Sequence, residues 1–275
     1  MQIRVHPGGA LGIAGNEMIA AVRDGIVKIA DMSLNLSSGY EPILSLEGLP
    51  LLVANFDELA TLQKHFRPKV DEIAKKYNQK ILTVVPWPPQ YLHLKKPVTK
   101  VDELKGVKIR ASTKNEVEVF SGIGMAPIQL PWGEVVPALA AGTIEGVVTS
   151  TSSGVDGKFW EFLKIAYPTS HTWNSQVITV NLDAWNSLKP EHRKAMQDLA
   201  DRLQPTFWDR SKAEDKERSN LLVQRGYTVS SELPAGLGDA LRRSSATLIK
   251  AYADKTPGAK EILNAYFKDV GRPPL

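Results

Sequence analysis

The sequence predicts an α/β fold followed by a helical carboxyl-terminal third. Three observations carry this. Short alternating apolar stretches recur up to residue 181, amphipathic stretches separate several of them, and long helical patterns take over afterwards. Strands are expected at residues 3–6, 27–34, 80–85, 107–111, 127–130, 143–148 and 175–181. Helices are expected at 17–23, 56–77, 116–122 and 134–141, the last kinked by Pro137. Beyond them lie 190–225, interrupted by Pro205, then 234–253 and 259–267, which read as an arm laid across the α/β part. There are no internal repeats or low-complexity segments.

Composition excludes several classes. With 275 residues, 43% hydrophobic and 23% charged, the chain has the make-up of a globular protein with enough core for two domains. The absence of cysteine removes thiolate metal sites, disulfides and cysteine nucleophiles. No apolar run approaches the roughly 18 residues of a membrane span. The opening "MQIRVHPGG" alternates like a strand and lacks the pattern of a signal peptide. The net charge of +4 and pI near 9.1 do not indicate nucleic acid, because the cations are dispersed among acids, as in "DRSKAEDKER". The densest cationic stretch, 95–110, is broken by Pro97, Asp102 and Glu103.

The strand ends hold the polar residues that matter. In "LKGVKIRAST", Arg110 closes a strand, and "TKNE" then opens a helix with a capping box, Thr113 to Glu116. Ligands bind at such carboxyl ends in open α/β sheets, so Arg110 reads either as an anion clamp or as an ordinary surface ion pair. "PWPPQYLH" stiffens a corner from which Trp87, Gln90 and Tyr91 project. "PWGEV" places Trp132 at a helix start, and "TSTSSG" groups hydroxyls including Thr149 and Ser150. Core tryptophans and helix caps are the bland alternatives.

Catalytic templates fail. His6, His65, His93, His171 and His192 show no metal-ligand spacing, and there is no GxSxG, Walker loop or GxGxxG. "GIGMAP" precedes a strand instead of opening a helix, and His171 in "TSHTWNSQ" reads as a structural hydrogen-bonding residue. No cofactor is expected.

The runs "DELKGVKIRA", "GMAPIQLPWGEVVPALAAGTIEG" and "TSHTWNSQVITVNLDAWNSLKPEHR", with "GGALGIAGNEMIAAVRDGIVKIADMS" and "LEGLPLL" upstream, resemble the DctP-type solute-binding proteins of TRAP (tripartite ATP-independent periplasmic) transporters. The resemblance implies a two-lobed periplasmic-binding-protein-like α/β fold with a long carboxyl-terminal hinge-spanning helix. It implies capture of a small organic acid in an interlobe cleft and delivery to TRAP permease subunits in the membrane, from the periplasm. By that resemblance Arg110 binds the substrate carboxylate, Trp132 and Thr149 face the ligand, the "H…N" segment brings Trp173 and Asn174 to the cleft, and Gln90 adds a polar contact. Trp87 and Ser150 join the expected site as pocket wall and hydroxyl donor. Relatives with a ligand-bridging metal place an acid after Gly146; this chain has Val147, Val148 and Thr149, so no metal is expected.

The expected division is lobe 1 at 1–105, lobe 2 at 106–182 and a helical arm at 183–275. Relatives usually carry a signal peptide, a first strand and a first helix before the segment matched here by "MQIRVHPGGALG". Lobe 1 is therefore expected to lack that strand and to expose unpaired edges. The expected state is a monomer, with a dimer possible, and the rival reading is an enzyme on a two-lobed α/β scaffold acting on a small carboxylate.

Overall fold

The computed structural model describes residues 2–7 and 9–275. The chain opens with a short helix α1 (Met18–Arg23), strand β1 (Ile29–Ser33), the long helix α2 (Phe56–Lys76) and strand β2 (Gln79–Pro86). Asn55 caps α2, its side chain accepting from the amides of Asp57 and Glu58, and the helix buries Leu59, Leu62, Phe66, Val70 and Ile73 on one stripe. The chain then crosses to a second sheet. This contains β3 (Gln90–Leu94), β4 (Lys108–Ala111), β5 (Ala126–Gln129), β6 (Gly146–Ser150) and β7 (Ile165–Tyr167), with helices α3 (Lys114–Gly122), α4 (Trp132–Ala140) and α5 (Thr151–Asp156) between them.

Strand β8 (Ser175–Asn181) returns to the first sheet, which has the order β1-β8-β2 and is antiparallel throughout. After α6 (Leu182–Ser187), helix α7 runs unbroken from Pro190 to Gln224. Strand β9 (Thr228–Val229) completes the second sheet in the order β5-β4-β6-β3-β7-β9, and α8 (Leu237–Lys255) and α9 (Ala259–Asp269) close the fold. One core lies under the first sheet, around Leu59, Phe66, Val177 and Tyr266. Two more cover the faces of the second, around Ile109, Phe120 and Leu241 and around Val147, Phe159 and Leu222.

Helix α7 joins the two halves. Towards the first sheet, Gln204 Oε1 accepts from Thr83 Oγ1 and the Val84 amide, Trp208 Nε1 donates to the Val84 carbonyl, and Ser211 Oγ donates to that of Pro86. Towards the second, Asp215 accepts from Tyr91 Oη and Thr151 Oγ1, and Leu222 enters the core beside Phe159. These anchors explain why Pro205 does not interrupt the helix as its sequence suggests. The missing backbone bond costs about 3 kcal/mol in an isolated helix, and the contacts on either side keep the helix continuous across it.

Other expectations need correction. Residues 3–6 form no strand; Ile3 and Val5 are exposed in irregular chain, and β1 pairs only with β8 among the described residues. The corner expected after β2 is brief, because Gln90–Leu94 is a fully buried strand whose Gln90 and His93 hide its apolar character. The sheets also cross the expected divisions at 105 and 182: Gln90–Leu94 belongs to the second sheet and Ser175–Asn181 to the first. Antiparallel pairing with β6 and with β1 and β2, respectively, fixes each strand there.

Glu47 lies wholly buried where the first sheet meets the segment returning from the second, and it accepts from the Ser175 amide and from Gln63 Nε2. Burial pushes its carboxyl up to about 7, against the pull of those donors. An acid held above its unfolded value of 4.5 adds stability at low pH and loses it as pH rises through about 7. Denaturant melts should therefore show the protein about 2 kcal/mol more stable near pH 5 than near pH 8 through this group. Glu47→Gln should lose that part of the slope.

Candidate functional site

Strands β4, β5 and β6 are parallel, so their carboxyl ends share one edge of the second sheet, and the start of antiparallel β3 lies at the same edge. Arg110 sits there, one residue before the end of β4, beside Ile128 and Val147. It is only 6% exposed, and its Nε donates to the Leu130 carbonyl at 3.0 Å. Its terminal nitrogens donate no hydrogen bond to any described residue. Burial presses the guanidinium pKa down, and the negative charge of Glu116 opposes that. This is no surface ion pair: the fold spends one donor on holding the side chain and leaves the fork free.

The turn behind Arg110 is rigid. Thr113 and Glu116 form the capping box of α3, and Glu116 Oε2 accepts from the Ser112 amide, Ser112 Oγ and the Thr113 amide. Glu116 was legible only as a cap; its second oxygen, Oε1, lies 3.5 Å from Nε2 of His171, and both side chains are completely buried. His171 is thus structural, as its sequence context suggests, and its ring packs edge-on against Phe120.

The remaining expected residues fall into three groups. Thr149 and Gln90 lie at the same edge as Arg110, opposite Tyr91 and Ser150 respectively in the β3–β6 register, and both are buried. Gln90 Nε2 is turned back on the Pro88 carbonyl at 2.8 Å. Trp132 starts α4, is 42% exposed and leans on Phe159. Trp87 bridges the halves: its amide donates to the Asn174 carbonyl and its Nε1 to Ser150 Oγ. Ser150 also caps α5 by accepting from the Ser153 amide, so its hydroxyl is already engaged, as the cap reading of that cluster has it. Trp173 is not in an open wall. It is 3% exposed in the first core, edge-on to Phe56 at 4.9 Å, with Nε1 unpaired. Neighbouring Asn174 keeps Oδ1 unpaired as well.

Sequence reasoning missed Ile128 and the Leu130 carbonyl, which flank Arg110 through strand pairing, and Asp215, one of several acids in a charged helix, which ties it to Tyr91 and Thr151. Among the described residues no group of three or more histidines or acids could hold a metal ion.

Two α/β halves joined by crossing strands and a shared helix, with a largely buried cation whose terminal nitrogens bond no described residue at one sheet edge, define a solute-binding fold. The chain belongs to the DctP family, bacterial extracellular solute-binding protein family 7, whose model matches residues 1–255. It is 27% identical over 202 residues to the 2,3-diketo-L-gulonate-binding periplasmic protein YiaO of Escherichia coli K12, a match covering 71% of this chain and 60% of that protein. It superimposes with TM-score 0.86 and 27% identity on DctP7 of Bordetella pertussis, an extracytoplasmic solute receptor binding pyroglutamic acid, covering 91% of this chain and 83% of that one. A TRAP solute-binding protein from an unidentified marine microbe, specific for pyroglutamate, gives 0.89 and 27%, covering 97% and 88%.

A buried charge without a full partner set weakens the fold that holds it. Arg110→Met should consequently melt at or above the parent, by about 1 kcal/mol in chemical denaturation. A clear loss of stability would mean that the guanidinium holds the sheet edge together.

Proposed function

We propose that the protein captures a small organic acid between its two sheets, outside the cytoplasm, and delivers it to a TRAP-type membrane permease. As a member of its family the chain is a binding protein and not an enzyme, so the rival reading falls. The observation that carries the ligand class is the buried Arg110 with its free fork at the shared sheet edge. Relatives described as binding 2,3-diketo-L-gulonate or pyroglutamate support a carboxylate. Thr149, Trp132, Trp87, Gln90, Ser150 and Asn174 would complete the contacts from one edge and the crossing segments, with Trp173 backing them from the core. The two sheets would act as lobes of a monomer, with α7 spanning them.

Magnitudes set what Arg110 can do. Charge-assisted hydrogen bonds contribute about 1.5 to 3 kcal/mol each, and micromolar affinity needs about 8 kcal/mol. Apolar burial against Trp132 and Ile128 and closure of the lobes must supply the rest, less the cost of ordering.

A thermal-shift screen of organic acids, followed by calorimetric titration, tests the reading. Arg110→Lys keeps the charge and loses the fork, so affinity should fall at least about tenfold, and Arg110→Ala should fall further. Equal affinity for an acid and its primary amide, or unchanged affinity in Arg110→Ala, would sink the proposal.

A further inference from the structure

We propose that Asn35 is the first half's own contribution to the ligand site, and that it reads a neutral amide of lactam type on the acid whose carboxylate Arg110 holds. The inference rests on the carboxylate reading of Arg110 and names the second group that the acid carries.

Strand β1 runs antiparallel to β8, with Ser33 opposite Gln176 and the Leu34 amide donating to the Ser175 carbonyl at 3.4 Å. The carboxyl end of β1 therefore lies where the chain returns from the second sheet, and Asn35 follows it at once. Asn35 is 3% exposed, and neither its Nδ2 nor its Oδ1 bonds any described residue. Buried polar groups are nearly always paired, so an amide open at both ends calls for a partner from outside the chain. Its neighbour is Gly48, where a Cβ would overlap Nδ2. The Gly48 carbonyl in turn accepts from Thr172 Oγ1 at 2.9 Å, on the return crossing. Further along that crossing, Trp173 Nε1 and Asn174 Oδ1 are also buried without partners. The unpaired polar atoms of three residues thus gather at one end of the first sheet.

This wall meets the one that carries Arg110. Asn115, in the first turn of α3, donates from Nδ2 to the Ser45 carbonyl at 3.4 Å, and the Leu51 amide donates to the His171 carbonyl at 2.7 Å. Ser45 and Leu51 lie on either side of Gly48 in the chain. Asn115 shares α3 with Glu116, and His171 lies 3.5 Å from Glu116, the residue that stiffens the turn after Arg110. Asn35 and Arg110 therefore stand on opposite walls of one seam, both buried and both with hydrogen-bonding capacity unspent.

The chemistry of a carboxamide sets the ligand class. It presents a donor and an acceptor side by side in one plane, whichever way the amide is turned. The complement is an acceptor beside a donor, as in the cis amide of a lactam, which closes two parallel hydrogen bonds. A lactone or ketone offers acceptors alone and would leave the Asn35 oxygen unpaired in a dry site. A second carboxylate would do the same.

Calorimetric titration of the full chain with acids of one ring size tests the proposal. The probes are pyroglutamate, its lactone counterpart in which a ring oxygen replaces the N–H, and cyclopentanecarboxylate. The parent should bind pyroglutamate at least about tenfold more tightly than either of the others. Asn35→Leu keeps the size and loses both hydrogen bonds, so that preference should shrink to about twofold or less. Its preference for pyroglutamate over the primary amide, which Arg110 sets, should persist. Where Asn35→Leu does not fold, the smaller Asn35→Ser should show the same shrinkage. Equal affinity for lactam and lactone in the parent would leave Asn35 to a buried water and overturn the proposal. An undiminished preference in the variants would make Asn35 structural and overturn it too. Either result leaves the Arg110 clamp standing while the acid is preferred to its amide. Loss of that acid preference in the parent overturns both readings, and no binding of any probe overturns the lactam class.

Discussion

A guanidinium buried at a sheet edge, using one of its donors inside the fold, sets the terms for everything around it. Arg110 is held by a backbone carbonyl twenty residues along the chain, on the loop that follows the neighbouring parallel strand. The strand pairing therefore positions the side chain, and a capping box stiffens the turn that follows. A long flexible cation on the surface would lose rotamer freedom when a ligand arrived; this one has already lost it on folding. Its fork, which bonds no described residue, would under the proposed function be free to receive an anion.

The two halves are coupled by few connections, and those same connections carry candidate ligand residues. The crossing from β2 contains Trp87 and ends at Gln90, the first residue of β3, and the return to β8 contains Trp173 and Asn174. Trp87 donates its amide to the return crossing and its indole N–H to the end of β6. The return crossing also lies along the segment from Glu47 to Leu51, through the contacts of His171, Thr172 and Ser175. Any rotation of one half against the other must alter these bonds, so the geometry that opens the site is the geometry that would contact the ligand.

The sequence shows the periodic elements well and the irregular ones poorly. Strand β8 coincides with its expected range, and the capping box of α3 and the long helices are where their signals place them. Strand β3 was hidden because Gln90 and His93 interrupt its apolar run, although the fold buries both. Pro205 misled because local propensity says nothing about the tertiary bonds of Gln204, Trp208 and Ser211. Of the candidate residues, Arg110 and Thr149 lie near strand ends and Trp132 at a helix start, where pattern alone put them. That Ser150 is occupied, that Trp173 is core and that Glu116 meets His171 could not be found that way, because each depends on a partner distant in sequence.

Under the proposed function, the distribution of charge explains why one arginine would define the ligand class. Gln90, Thr149, Ser150 and Asn174 are neutral, and the acid closest to Arg110 is occupied by the Ser112 and Thr113 donors and by His171. An entering anion thus meets a cation whose counter-charge is already shared, in surroundings of low dielectric where a free charge acts strongly. A second carboxylate on the ligand would find no matching cation among these residues and would lose its hydration without compensation. The arrangement that would admit one carboxylate would therefore also disfavour two.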